Sequence, residues 1–156
     1  MKQFKFLAAL LIAGATFAAC DKDDKNDEPT PAETTSSSFK GTLIVDQNDG
    51  TNYTQENVVV DYAITDTAGF ALTFYQVSFS PKMPVKLDMT IPNVSYVMVG
   101  SEITLAGDKI VPLAMGGEFP KYTITNLSGT IADGTLSVSM NCGSSPLKFT
   151  GATMAQ

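Results

Sequence analysis

Apolar and polar residues alternate along most of the chain from Phe39 onward, and this period of two predicts β-strands. In the stretch 85–91, Val85, Leu87, Met89 and Ile91 share one face while Lys86, Asp88 and Thr90 share the other. The stretch 135–142 repeats the pattern, with Leu136, Val138, Met140 and Cys142 against Thr135, Ser137, Ser139 and Asn141. A strand with one dry and one wet face belongs to antiparallel sheet. Further strands are predicted over 39–46, 57–64, 70–79, 94–99, 102–106, 110–115, 122–131 and 147–153. Turns fall at Asn48-Asp49-Gly50, Thr67-Ala68-Gly69, Gly107-Asp108 and Asp133-Gly134. An Asp-Gly pair between alternating runs signals a hairpin, because a type I′ turn needs positive φ at both central residues. In the run 70–79, Phe70, Leu72 and Phe74 fall on one side and Tyr75, Val77 and Phe79 on the other, which predicts two apolar faces. No stretch after the N-terminal segment holds a helical spacing over three turns. The expected class is all-β: an antiparallel up-and-down barrel of about eight to ten strands, or failing that a β-sandwich. Closure has a physical motive, since it removes edges that would pair with other chains.

The first nineteen residues break the pattern. Lys2 and Lys5 precede the apolar run Phe6 to Ala19, which is short for a membrane-spanning helix but suits the core of a secretory signal peptide. Phe17-Ala18-Ala19-Cys20 reads as a lipobox, with Phe17 in the place of the usual aliphatic residue. Cys20 is thus the expected lipidation site and mature N-terminus. Two or three acyl chains on one residue anchor a protein stably, which a single chain does not. Residues 21–38 hold six acidic residues, two lysines, Pro29, Pro31 and a Ser/Thr run, with no large apolar side chain. Such a segment cannot bury a core and reads as a tether. The domain plan is a cleaved signal peptide over 1–19, the lipidated Cys and tether over 20–38, and a barrel over 39–156.

Charge sharpens this plan. The formal net charge is −6, from 16 acidic residues and ten lysines, and the chain contains no His, Arg or Trp. Without His, an imidazole base and His-ligated metal are excluded; without Arg, so is a bidentate clamp for phosphate. Nucleic acid is excluded as a partner for want of a basic footprint. Much of the acidity lies directly behind Cys20, in Asp21, Asp23, Asp24, Asp27 and Glu28. That run resembles the lipoprotein export signal of Bacteroidetes, which sends lipoproteins to the cell surface. The resemblance implies an outer-membrane, lipid-anchored, surface-exposed protein, with the periplasmic face as the alternative placement.

The barrel region adds a second resemblance. Phe39-Lys40-Gly41-Thr42-Leu43-Ile44-Val45 opens it, Met83 to Val94 carries Met-Pro-Val-Lys-Leu-Asp-Met-Thr-Ile-Pro-Asn-Val, and Leu127-Ser128-Gly129-Thr130-Ile131 with Asp133 to Met140 lies near its end. These stretches look like the calycin-like β-barrel domain of Bacteroidetes lipoproteins. The resemblance covers Phe39 to about Thr153 and implies a small lipocalin-related barrel with no established activity. Gly41 is followed by Thr42 and Leu43, not by the Gly-x-Trp of true lipocalins, so ligand carriage transfers only by analogy of fold.

Few candidate chemical sites survive inspection. Asp46-Gln47-Asn48-Asp49-Gly50 lacks the calcium-loop spacing and reads as a hairpin turn. Asp61, Asp88, Glu102 and Glu118 are candidate carboxylates for acid–base work, each in or beside a predicted strand, and nothing in sequence pairs them. Cys142 continues an apolar face and reads as a buried, inert thiol without an intrachain partner once Cys20 is acylated. Asn52, Asn93 and Asn126 head N-glycosylation patterns that a bacterial lipoprotein is not expected to use. Asp66-Thr67-Ala68 resembles the O-glycosylation site of exported Bacteroidetes proteins, which makes Thr67 a candidate, against a plain turn. No enzyme, metal or cofactor is expected. The functional alternatives are a barrel that binds a small hydrophobic ligand or an outer-membrane protein partner, and a structural or accessory component with no ligand. Met83, Met89, Met98, Met115 and Met140 offer adaptable apolar lining for either.

Overall fold

The computed structural model describes residues 35–66 and 69–155, all within the barrel region. Ten strands follow in order: β1 Thr35–Asp46, β2 Asn52–Thr65, β3 Gly69–Val77, β4 Leu87–Val99, β5 Glu102–Gly107, β6 Leu113–Ala114, β7 Gly117–Glu118, β8 Ile124–Ala132, β9 Thr135–Cys142 and β10 Ser145–Thr153. Eight of them close an antiparallel barrel in the order β1-β2-β3-β4-β5-β8-β9-β10, with β10 returning to β1 through Phe149↔Leu43 and its neighbours. The fold is the all-β up-and-down barrel of the sequence reading, not the sandwich. The short hairpin β6–β7 is additional to these eight and pairs with β4 on the edge that β5 uses further along, at Met89↔Ala114 and Thr90↔Leu113.

The barrel bends shut at four register shifts. These lie on β2, β3, β4 and β8, and each coincides with a residue of positive φ: Asn57 (61°), Gln76 (51°), Asn93 (54°) and Asn126 (53°). An extra residue in one strand bends it and raises its twist, which is what closure requires. Asn tolerates the left-handed region better than most residues. Asn93 and Asn126, noted above for glycosylation patterns, are therefore bulge residues.

The bulges also correct the strand reading. Phe70, Leu72 and Phe74 are buried, and after the bulge at Gln76 so is Val77, while Tyr75 points out at 36% exposure. The extra residue shifts the in–out parity, so β3 has one apolar face with a phase change instead of two. Pro92 and Asn93 lie in the β4 bulge, between Leu72↔Ile91 and Phe70↔Val94. A proline needs no ladder hydrogen bond there, so the two predicted strands join into one over Leu87–Val99, while Val85 and Lys86 fall before it and Val85 is exposed. Conversely, 110–115 is no strand: it reduces to the bridge Ile110↔Ile124 and the two residues of β6. β1 begins at Thr35 inside the segment read as tether, where Thr35 to Ser38 pair with Ile64 to Asp61. Their polar side chains left no apolar signature. The Asp133-Gly134 turn has φ of 49° and 72°, the expected hairpin geometry.

Candidate functional site

A barrel of eight strands can hold one small ligand or fill its interior with side chains. This one fills it. Phe39, Leu43, Val60, Phe70, Leu72, Phe74, Ile91, Leu136 and Phe149 point inward at 0–1% exposure. A cavity wide enough for water would give its lining accessible area, and these residues have essentially none. Phe74 and Phe149 meet edge to face at 5.9 Å across the interior. Each such side chain contributes about 1.5–3 kcal/mol by leaving water.

Both mouths are closed by rings. At the end where β1 begins, Phe39, Tyr62, Phe70 and Tyr96 form a continuous series across β1 to β4, with centroids 6.1, 5.1 and 5.4 Å apart. At the opposite end, the chain between β3 and β4 folds over the opening. Phe79 packs against Tyr122 at 4.9 Å, and Tyr122 stacks on Phe119 at 5.2 Å. That cover is pinned by Gln47 Nε2 donating to the Phe79 carbonyl (3.0 Å), Ser78 N donating to Gln55 Oε1 (3.0 Å), and the Tyr53–Ser78 hydroxyl pair (2.9 Å).

The carboxylates singled out above have local structural partners or stand exposed. Asp88 Oδ1 accepts from both the backbone N (2.8 Å) and Nε2 (2.9 Å) of Gln76, and so satisfies the β3 bulge. Asp108 does the same for the β8 bulge, accepting from Asn126 N at 3.2 Å. The Tyr75 hydroxyl is held above its ordinary pKa by partial burial, then by the negative charge of the nearby Asp61 carboxylate, then by Asp88. Asp61 and Asp88 thus face one tyrosine on the barrel's outer wall, a proximity that spacing did not reveal. Asp61 Oδ1 is shut off from solvent with no hydrogen-bond partner. Glu102 and Glu118 lie exposed on β5 and β7.

Asp49 caps its own turn, accepting from Thr51 N at 2.9 Å and Thr51 Oγ1 at 2.5 Å, and these bonds hold its pKa below the usual carboxylate value. This is hairpin chemistry. No group of three or more potential metal ligands occurs among the described residues. Cys142 is 1% exposed, and burial pushes its thiol up to about 12. Cys20 and Thr67 lie outside the described residues.

What remains for recognition is the outer surface. Val85, Leu113 and Met115 are 58%, 41% and 76% exposed and border an open cleft of about 590 Å³ between β4 and the β6–β7 hairpin. The end of β4 leaves Val97, Met98 and Val99 at 63%, 53% and 74% exposure. Of the five methionines named above, Met89 and Met140 belong to the core, Met83 packs against it, and Met98 and Met115 stand in these two patches. Exposed apolar residues gathered in this way mark interaction surfaces. Sequence reasoning missed both, although the unbroken apolar run Tyr96 to Val99 was a usable signal. No family model, curated protein or solved structure matches the chain.

Proposed function

We propose that the chain is a lipoprotein anchored in the outer membrane through acylated Cys20, of the calycin-like barrel kind found in Bacteroidetes, and exposed at the cell surface. In this reading the barrel is a filled scaffold that presents apolar surface to a partner protein; it carries no ligand inside. The observation that supports it is the contrast between a packed interior closed at both mouths and the exposed Val85, Leu113 and Met115 beside an open cleft. The lipobox and the acidic run behind it support the placement.

A photo-cross-linking residue in place of Met115, activated on intact cells, tests the partner. An adduct of one defined mass is expected. Monomer alone, together with an apolar molecule released when the purified protein is extracted, would overturn the reading. Mass analysis of the N-terminal peptide tests the anchor, which requires acyl mass on Cys20. Added protease on whole cells separates the surface from the periplasmic placement. Modification of Thr67, beside the exposed Asp66, is read from the intact mass of the native protein against Thr67→Ala.

A further inference from the structure

The end of β4 outruns its neighbour. Pairing with β3 ends at Phe70↔Val94, whereas pairing with β5 continues from Ser95↔Ala106 to Val99↔Glu102. Residues Ser95 to Val99 therefore run roughly 16 Å past the end of β3 with one free edge, as the outer side of a hairpin arm whose other strand, β5, is held by β8 from Ile103 to Gly107. Val97 and Val99 lie opposite Thr104 and Glu102 on one face, while Tyr96 and Met98 lie opposite Leu105 and Ile103 on the other. The Tyr96–Met98 face is thus apolar throughout, while the other face is apolar on β4 and carries Thr104 and Glu102 on β5; no charged residue occurs between Val94 and Ser101.

The arm stands at the end of the barrel where the N-terminal segment enters. Thr35 pairs with Ile64, Ile64 with Phe70, and Phe70 with Val94, so one row of the sheet joins the start of β1 to the base of the arm. Three inter-strand steps make that row about 14 Å long. Fourteen residues separate Cys20 from Thr35, a reach of at most about 50 Å. Acyl chains on Cys20 and the tip of the arm can therefore occupy the same bilayer leaflet.

We infer that the β4–β5 tip is a second membrane contact, with Val97, Met98 and Val99 dipping into the boundary between headgroups and acyl chains and Tyr96 at its base. The inference rests on the lipid-anchored reading of Cys20. A tethered domain with an apolar tip held near a bilayer gains by burying it, and aromatic rings favour the headgroup level. The depth is limited to that boundary, where water and headgroups satisfy the free edge of Ser95 to Val99. Asp66, Glu102 and Asp133 stand at the same end, so the contact is apolar and suits a zwitterionic surface.

The chain has no Trp, so a single introduced indole reports its own position. Met98→Trp and Met115→Trp, each in the full acylated protein, are placed in phosphatidylethanolamine vesicles with bromine at a shallow acyl position. Blue-shifted, quenched emission is expected for Met98→Trp, unshifted and unquenched emission for Met115→Trp, and loss of the Met98→Trp quenching when Val97→Asp and Val99→Asp are added. Val99→Trp serves if Met98→Trp does not fold. An acylated chain that sediments with the vesicles while its indole at 98 stays wet overturns the tip contact alone. A chain isolated from its native membrane without acyl mass on Cys20 overturns the anchor and the tip contact with it. An indole shielded from iodide in native outer membranes but not in pure lipid assigns the tip to a protein partner and also overturns the inference.

Discussion

β9 and the last five residues of β4 are built from the same kinds of side chain and end in opposite surroundings. In β9, Leu136, Val138, Met140 and Cys142 are 0–3% exposed, with serines and threonine between them facing out. In β4, Val97, Met98 and Val99 follow one another without a polar interruption and are more than half exposed. Both stretches have high strand propensity. What separates them is alternation and neighbours: β9 is flanked by β8 and β10 along its length, whereas the end of β4 has β5 alone. Strict alternation announces one face for the core and one for water. Its loss near a strand end announces two apolar faces, one more than a closed barrel can cover.

Substitutions in the filled wall should break the barrel most severely. Gly41 pairs with Gly151 where β1 crosses β10, and a side chain at 41 would drive into the Thr150 carbonyl and the Gly151 Cα. The Phe149 ring lies over Gly151, 2.6 Å from where a Cβ would stand. Backbone cannot yield as a flexible side-chain tip does, so Gly41→Val is expected to cost about 3 kcal/mol or more. Phe149→Ala, which empties the interior beside Phe74, should cost about 3–5 kcal/mol. Urea unfolding midpoints measure both.

The next effect comes from β9 itself. Burial raises the Cys142 thiol from 9.0 to about 12, and the sulfur lies 3.7 Å from the Tyr122 carbonyl and 4.0 Å from Met89 Sδ. Below pH 9 the thiol is neutral in both the folded and the unfolded chain, and its favourable burial is fully kept. Above pH 9 the unfolded chain ionises first, so stability falls until the folded pKa is passed. Each pH unit in that window removes about 1.4 kcal/mol. Cys142→Ala should start from a lower stability because of the cavity it leaves, and then lose less between pH 9 and 12 than the native chain. Equal slopes for the two proteins would show the thiol to be open to water.

The architecture was legible where alternation was clean. The inward face of β9, the Asp133-Gly134 turn and the all-β class followed from period and turn chemistry alone. The bulges were not legible, because a residue that adopts positive φ inside a strand leaves the composition of that strand unchanged. Asn57, Gln76, Asn93 and Asn126 each shift the in–out parity by one, which is why β3 read as apolar on both faces. Thr35 to Ser38 were hidden for another reason: they are held by backbone pairing to β2 and bury little side chain. The outer-wall approach of Asp61 and Asp88 to Tyr75 depends on β2, β3 and β4 lying side by side, a register no linear spacing records.

The smallest predicted effect on folding is the sharpest test of the comparison. If Val97 and Val99 are surplus to the barrel, Val97→Thr and Val99→Thr should each move stability by no more than about 0.5 kcal/mol, since they alter exposed, outward-facing positions without changing β-branching. Val138→Thr makes the same chemical change at 1% exposure in β9. There the hydroxyl has no water to turn to, and an unpaired polar group buried in this way costs about 1–3 kcal/mol. One pair of atoms exchanged at two sites thus separates core from surface with no difference in size or strand propensity to confound it. A shared loss at 97, 99 and 138 would mean that the arm is packed as tightly as the barrel and holds no apolar surface in reserve. A loss at 138 alone, with the doubly substituted tip more soluble than the native chain, would show that folding does not need those valines and that water does not favour them.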